Sequence, residues 1–322
     1  MPVPKPFEGR LRLPAIAAPM FLVSGPDLVT EACKAGVVGT FPALNQRSSE
    51  GYAAWLTEIR QRLAAHDATG PEQPAAPFGV NLIVHHSNPR LEADLKLTVE
   101  HRVPLVITSL GAVSDLVAAV HSYGGLVFHD VTNMRHAEKA IEAGVDGLIP
   151  VCAGAGGHAG TLSPFALVSE IRVVFDGAII LSGCISTGAH IAAALAMGAD
   201  LAYLGTRFIN TVESRADAAY KQMIADAAAK DIVYTPEISG VPANFLRPSI
   251  AAAGLDPDNL KPKTSIDFGE ELDEAKAWKN IWSAGQGVGS IRDVPPVAEL
   301  VDRLHDEYRD AVRGMQIRLG AS

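Results

Sequence analysis

Short apolar runs alternate with longer amphipathic stretches along the first two thirds of the chain. This alternation is typical of βα units, whose parallel strands are buried on both faces. In "NMRHAEKAIEAGVDGLI" apolar residues recur at helical spacing from Met134 to Ile141, and Gly144 ends the helix before the next apolar run. The same ending recurs in "CKAGVVG" and "AMGADLAYLG".

The alternation predicts eight strands with helices between them. An α/β fold of the (β/α)8 TIM-barrel type fits this number, and a doubly wound open sheet is the main alternative. The dinucleotide fingerprint G-x-G-x-x-G, which would favour the open sheet, is absent after the first apolar run, "AIAAPMFLVSGP". The predicted strands are 15–18, 37–40, 78–84, 105–109, 126–131, 147–151, 178–182 and 201–205.

The regular alternation stops after the eighth predicted strand. Residues 213–290 combine helical patterns with Pro- and Gly-rich stretches such as "YTPEISGVPANFLRPS", over a length too great for a simple loop. We expect an inserted, mainly helical segment over the barrel mouth. The barrel would then comprise residues 1–212 and 291–322 and would close with a helix at about 296–313.

Composition excludes several classes of protein. The chain has 27 basic and 36 acidic residues, a net charge of −9, and no basic cluster for nucleic acid. It contains no run of 18 apolar residues and no secretory pattern, so we expect a cytoplasmic protein that does not enter membranes. The three cysteines, Cys33, Cys152 and Cys184, lack C-x-x-C spacing and are predicted to be reduced and buried.

Residues that follow the strands are candidates for the active site, because barrels of this kind carry their chemistry at the carboxyl ends of the strands. The loops after the seventh and eighth predicted strands, "SGCISTG" and "GTRF", predict a phosphate site. A cofactor such as FMN or a phosphorylated substrate would fit it, and no Walker loop is present. The candidates are Pro19, Met20, Asn81, Ser109, His129, Asp130, His158, and the phosphate residues Ser182, Gly183, Cys184, Gly205 and Thr206.

His158 lies in the glycine-rich stretch "VCAGAGGHAGT" after the sixth predicted strand. Its ordinary pKa near 6.5 suits a general base near neutral pH. A bracing hydrogen bond or solvent exposure would also explain a histidine there. We expect no metal site, because the neighbours in His85–His86 and His129–Asp130 point to opposite faces of a strand.

Six motifs, in order along almost the whole chain, resemble those of the nitronate monooxygenases, formerly called 2-nitropropane dioxygenases, and most closely their bacterial class I branch. The motifs are "APM" (18–20), "PFGVNL" (77–82), "AGAGGHAGT" (153–161), "LSGCISTG" (181–188), "GADLAYLGTRF" (198–208) and "IWSAGQG" (281–287).

The resemblance implies an FMN enzyme with a TIM barrel that oxidises alkyl nitronates, such as propionate 3-nitronate, or nitroalkanes with O2 to a carbonyl compound and nitrite. His158 would be the catalytic base. The glycines around it would give clearance to the flavin. Pro19, Met20, Asn81, Gly156 and Gly157 would contact the flavin ring, and Ser182, Gly183, Leu204, Gly205 and Thr206 would hold its phosphate.

Two alternatives stay open. Flavin-dependent enoyl-acyl-carrier-protein reductases and NADH:quinone reductases share the "GGH" loop and the "GTRF" turn, although some of them carry lysine where this chain has Asp130. A barrel that binds FMN without turnover is the second alternative. Candidates on the substrate side are Tyr234, Phe245, Trp282 and Gln286 of the inserted segment. A role in detoxification of nitro compounds is expected from the resemblance, and the oligomeric state is left open.

Overall fold

Eight parallel strands close into a barrel in a computed structural model that describes residues 4–85, 87–111, 114–261, 281–318 and 320. The strands follow one another round the barrel in the order β1-β2-β3-β4-β5-β6-β8-β9, and β9 pairs with β1. The barrel strands are β1 Ala15–Ala17, β2 Val38–Pro42, β3 Phe78–Ile83, β4 Leu105–Ser109, β5 Leu126–Val131, β6 Gly147–Pro150, β8 Ala178–Ser182 and β9 Leu201–Leu204. The predicted TIM barrel is confirmed.

Helices pack around the barrel. After each barrel strand, a connection returns the chain to the end of the barrel at which the strand began. None of the described helices is long and apolar enough to cross a membrane. The helices are α1 Pro26–Lys34, α2 Ser49–Asp67, α3 Leu91–Glu100, α4 Ser114–His121, α5 Met134–Glu142, α6 Pro164–Val174, α7 Gly188–Ala196, α8 Thr206–Ile209, α9 Ala218–Asp226, α10 Arg247–Ala252 and α11 Val297–Arg318.

Local sequence explains where the helices begin and end. Asn133 and Thr187 cap α5 and α7 with side-chain oxygens that accept hydrogen bonds from the backbone three residues later. Pro26 and Pro164 begin α1 and α6, where no intrahelical N–H is needed. Gly144 adopts a φ of 84° after α5, the left-handed conformation that stops a helix at least cost when the residue is glycine.

Side chains of the barrel strands alternate between two apolar layers. Ile107, Phe128 and Leu201 belong to the cluster that fills the barrel interior. Their neighbours Val106 and Val127 belong to the larger cluster between strands and helices. This period of two decides which strand-end residues face the cavity at the barrel mouth.

The segment after α8 is not a purely helical cover. Its described part contains helices, as expected, and also two strands that the sequence did not predict, β10 Ile232–Thr235 and β11 Ala243–Leu246. They form a three-stranded antiparallel sheet with β7, the two-residue strand Gly157–His158 of the loop after β6. Residues 262–280 of the predicted segment lie outside the described residues, and the boundaries 213 and 290 stay a prediction.

Candidate active site

A cavity of about 1610 Å³ opens at the carboxyl ends of the barrel strands. Its wall combines strand ends, the loops after β6, β8 and β9, and the sheet that contains β10 and β11. Fifteen of the candidate residues line it: Pro19, Met20, Asn81, Ser109, His129, Asp130, Gly156, Gly157, His158, Ser182, Gly183, Cys184, Gly205, Thr206 and Tyr234. The strand-end rule therefore brings together residues from seven separate parts of the chain.

The two loops predicted to bind phosphate are adjacent because β8 and β9 are neighbours in the barrel, with Ser182 paired to Tyr203. Gly183 has a φ of 135°, which favours glycine. Thr206 at the start of α8 is buried, and its Oγ1 accepts a hydrogen bond of 2.9 Å from the amide of Gly285. The hydroxyl proton of Thr206 is thus left for another acceptor.

Cys184 departs from the expectation of three buried thiols. Cys33 and Cys152 are buried, whereas Cys184 is exposed at the barrel mouth. It adopts a φ of 57°, a left-handed conformation that is unusual for a residue with a Cβ. A Cβ on Gly154 would lie 2.4 Å from Sγ of Cys184, so this contact requires glycine at position 154.

The glycines beside His158 have different reasons for being glycine. A Cβ on Gly156 would lie 2.8 Å from the amide nitrogen of Gly285 and 3.1 Å from the carbonyl carbon of Ala284, so this residue gives clearance to the inserted segment. Gly157 has a φ of 70°, and a Cβ there would meet no described atom within 4 Å. Clearance to the inserted segment is thus one reason for the glycine at 156, and the expectation that Gly156 and Gly157 line a cofactor stays a prediction.

His158 is held in a strand and not in a free loop. Its backbone pairs with Ala243 of β11, and the side chain is half-buried on the cavity wall. Burial lowers the pKa of His158 from 6.5 to about 4. The expected match between its pKa and neutral pH is therefore wrong, because distant segments of the chain cover the ring.

Three polar side chains meet on the inner face of the barrel mouth. Nδ2 of Asn81 on β3 donates to Oγ of Ser109 on β4 at 2.8 Å, and the Ser109 hydroxyl donates to Oδ2 of Asp130 on β5. Burial raises the pKa of Asp130 to about 6, although the hydrogen bond from Ser109 lowers it. The parity of the strands places all three on the side of Phe128 and Ile107.

A second polar pair lies on the preceding residues of β4 and β5. Oγ1 of Thr108 and Nδ1 of His129 are 2.7 Å apart, and His129 is buried. Burial, and to a lesser degree the charge of His136, lower the pKa of His129 to about 4. His129 is therefore neutral at pH 7.

The loop after β1 is braced by its own polar groups. The amide of Met20 donates to Oγ of Ser24 at 3.0 Å, and Nδ2 of Asn45 donates to the carbonyl oxygens of Met20 and Ser24 at 3.0 and 2.8 Å. This bracing holds Pro19 and Met20 against the cavity. No group of three or more described His, Cys, Asp or Glu residues is arranged to hold a metal ion. His86 lies outside the described residues.

The model of the nitronate monooxygenase family matches residues 9–307. The chain belongs to the nitronate monooxygenase family. It is accordingly an oxidoreductase of a flavin-dependent kind. The resemblance seen in the six motifs is confirmed.

Three known proteins show how far this similarity extends. The nitronate monooxygenase of Paraburkholderia phytofirmans is 28% identical, with 94% of each chain covered. A nitroalkane oxidase from Streptomyces ansochromogenes has the same fold, with a TM-score of 0.81, 24% identity, and 97% of this chain and 100% of that chain covered. FabK from Thermotoga maritima also shares the fold, with a TM-score of 0.79, 24% identity and 96% of each chain covered.

Within this nitronate monooxygenase fold, four predicted site residues do not line the cavity. Leu204 points to the helix layer with Ala202, and its carbonyl accepts from the amide of Ala18 at 2.9 Å. Phe245 is fully buried among apolar residues of the inserted segment. The remaining two are Trp282, which stacks on Tyr220 at 5.0 Å between ring centroids, and the exposed Gln286.

Two tyrosines on the cavity wall were missed by sequence reasoning. Tyr203 shares the inner face of β9 with Leu201, which the period of two along that strand would have revealed. Tyr220 lies on α9, and its hydroxyl donates to the carbonyl of Ser283 at 2.5 Å. No pattern in the sequence indicates that α9 reaches the cavity.

Proposed function

We propose that the chain is an FMN-dependent nitronate monooxygenase that oxidises small alkyl nitronates, such as propionate 3-nitronate, with O2 to a carbonyl compound and nitrite. One observation carries the proposal: His158 and the two loops suited to phosphate, 182–184 and 205–206, line the same cavity. Membership of the family supports the class of reaction.

The residues on the wall fit FMN. A Cβ on Gly205 would lie 3.8 Å from Cβ of Ala18 and 4.0 Å from Sδ of Met20, so the cavity leaves room beside this loop. The Thr206 hydroxyl and the backbone of residues 182–184 would hold the phosphate, with Gly205 allowing close approach. Pro19, Met20, Asn81 and Gly157 would contact the ring system. FMN bound there would supply the electron acceptor for oxidation of the nitronate, with O2 as the final oxidant.

His158 contributes a neutral imidazole. Because burial holds its pKa at about 4, the ring is uncharged at pH 7 and offers one N–H donor and one acceptor. With a preformed nitronate it donates a hydrogen bond to the ligand. With a nitroalkane it removes the α proton, but such a weak base is a poor match for that task. We therefore propose that preformed nitronates are preferred to nitroalkanes.

The inserted segment covers the site and positions His158. The Tyr234 hydroxyl on β10 donates to the carbonyl of Ala159 at 3.0 Å, and Nδ2 of Asn244 on β11 donates to the carbonyl of Ala155 at 2.7 Å. Both bonds tie the loop that carries His158 to the cover.

The test is anaerobic mixing of the FMN-loaded protein with propionate 3-nitronate or with NADH, followed by flavin absorbance. We expect rapid bleaching by the nitronate, and nitrite release when O2 is admitted. Rapid bleaching by NADH alone would contradict the proposal and favour an NAD(P)H-dependent reductase. Bleaching by neither compound would favour a protein that binds FMN without turnover.

A further inference from the structure

Asp130 is a carboxyl group on the cavity wall that the proposed reaction does not use. It is the last residue but one of β5 and shares the inner face of that strand with Phe128. A carboxylate on the wall interacts electrostatically with a charged ligand that binds beside it. Its charge therefore affects which ligands bind.

The hydrogen bonds of Asp130 have a fixed direction. Ser109 accepts from Nδ2 of Asn81 at 2.8 Å, so its single hydroxyl proton is given to Oδ2 of Asp130. The other oxygen, Oδ1, is buried and has no hydrogen-bond partner among the described residues. One carboxyl oxygen is thus satisfied by the protein, and the other is left without a donor.

No cation offsets the charge of Asp130. The groups near it are Asn81 on β3, Ser109 on β4, His129 on β5 and Tyr203 on β9, and His158 lines the same cavity. Burial lowers the pKa of both histidines to about 4 and raises that of Tyr203, so all three are neutral at pH 7. None of the described Lys, Arg or His side chains forms an ion pair with Asp130.

The other ionisable groups of the cavity wall on α5 are His136, Lys139 and Glu142. Among the described lining residues Lys139 is the sole lysine or arginine. An anion that reaches the inner face therefore meets a carboxylate and no compensating positive charge.

We propose that Asp130 selects ligands by charge. An anionic ligand with two coplanar oxygens then binds in the cavity only when Asp130 has taken up one proton. This inference rests on the proposed function, in which a nitronate is the substrate. The proton comes from solvent and neutralises the carboxylate, which removes the repulsion between Asp130 and the anion. A neutral ligand needs no such proton.

The experiment uses the FMN-loaded protein and two inert probes of similar shape, nitrate and acetamide. Nitrate is planar and stays an anion throughout the working range, and acetamide is planar and neutral. Binding is followed by flavin absorbance at constant ionic strength from pH 5.5 to 8.5. We expect Kd for nitrate to rise by up to about tenfold per pH unit above the Asp130 pKa, while Kd for acetamide stays constant.

Isothermal titration in buffers of different ionisation enthalpy supplies a second measurement. Nitrate binding at pH 7.5 should take up close to one proton. In Asp130→Asn, which keeps an oxygen to accept from Ser109, the uptake and the pH dependence should vanish. The exposed Asp115→Asn on α4 is the matched control and should behave as wild type.

Nitrate binding without proton uptake, uptake that persists in Asp130→Asn, or no saturable nitrate binding at pH 5.5 would each overturn the inference. These outcomes are independent of turnover. If propionate 3-nitronate is oxidised but nitrate binds without a proton, the charge selection fails and the proposed function stands. If nitrate binds with a proton but no nitronate is oxidised, the charge selection stands and the proposed function fails.

Discussion

The backbone of His158 pairs with that of Ala243 in an antiparallel ladder, which joins the candidate base to the segment after the barrel. The pairing continues from Gly157 to Asn244, whose side chain donates to the carbonyl of Ala155. The position of the imidazole thus depends on a part of the chain that is distant in sequence.

Replacement of Asn244 by alanine should loosen this connection. Asn244 is almost fully buried, so the variant leaves the carbonyl of Ala155 without its donor and should cost about 1–2 kcal/mol of unfolding free energy. Turnover of nitronates should fall together with stability. Urea unfolding and steady-state kinetics measure both, with the exposed Asn259→Ala as control. An unchanged kcat would show that the ladder does not position His158.

His158→Asn tests the role of the imidazole. The variant keeps a polar side chain but loses the base, so we expect kcat/KM for nitroalkanes to fall at least about 100-fold. Turnover of preformed nitronates should fall less, because their proton is already removed. FMN should stay bound, as measured by flavin absorbance after gel filtration. If the variant loses its flavin, the histidine is a structural brace.

Gly156→Ala and Gly157→Ala form a matched pair. The new Cβ of Gly156→Ala would clash with the backbone of Gly285, so the inserted segment must move. Gly157→Ala meets no atom and bears only the strain of its left-handed backbone, about 1–2 kcal/mol. The apoprotein Tm should therefore fall more for Gly156→Ala. The reverse order would mean that Gly285 is easily displaced.

Thr206→Val keeps the shape of the side chain and removes its hydroxyl. It leaves the amide of Gly285 without its acceptor and removes a donor proposed for the FMN phosphate. We expect Kd for FMN to rise about tenfold or more, which corresponds to about 1.4 kcal/mol. Fluorescence quenching of free FMN measures this. Thr206→Ser, which retains the hydroxyl, should bind FMN nearly as well as wild type.

Asp130→Asn should stabilise the apoprotein at high pH. The folded protein raises the pKa of this carboxyl from 3.8 to about 6, so the folded state binds the proton more tightly than the unfolded state. The stabilisation of the folded state by this tighter proton binding is complete below pH 3.8 and is lost as pH rises through 6. At 1.36 kcal/mol per pKa unit, the variant should gain at most about 3 kcal/mol at pH 8.

Urea unfolding at pH 8 and pH 4 checks this prediction. The gain should be absent at pH 4, where wild-type Asp130 is protonated in the folded state. Asp115→Asn, on the exposed surface, should show no gain at either pH. An equal effect of Asp130→Asn at both pH values would mean that packing, and not ionisation, is responsible.

The barrel was predictable because each of its strands is an apolar run of the right length before a loop. The bounds of β4, β5 and β8 agree with the predicted ones, and those of the other barrel strands differ by one or two residues, as with β2, which continues to Pro42. The carboxyl-end rule also found wall residues at seven strand ends, including His158 and Thr206. Alternation along β9 would have added Tyr203 and directed Leu204 to the helices.

The small sheet over the site was not predictable from local pattern. β7 has two residues, and β10 and β11 flank the turn "PEISGVP", whose prolines and glycine conceal the strands beside it. Their pairing depends on contacts between distant segments, which also bury His158 and lower its pKa. Without knowledge of this pairing, the sequence predicts only the ordinary histidine pKa for His158.

The pairing of β7 with β11 also bears on the order of assembly. All eight barrel strands pair with neighbours in the barrel, and β7 takes no part in its closure. The barrel can therefore close while residues 157–158 are still without a partner, and hydrogen exchange should find their amides protected later during refolding than those of β4 or β5. A nascent molecule would thus possess a complete scaffold before it possesses a working centre.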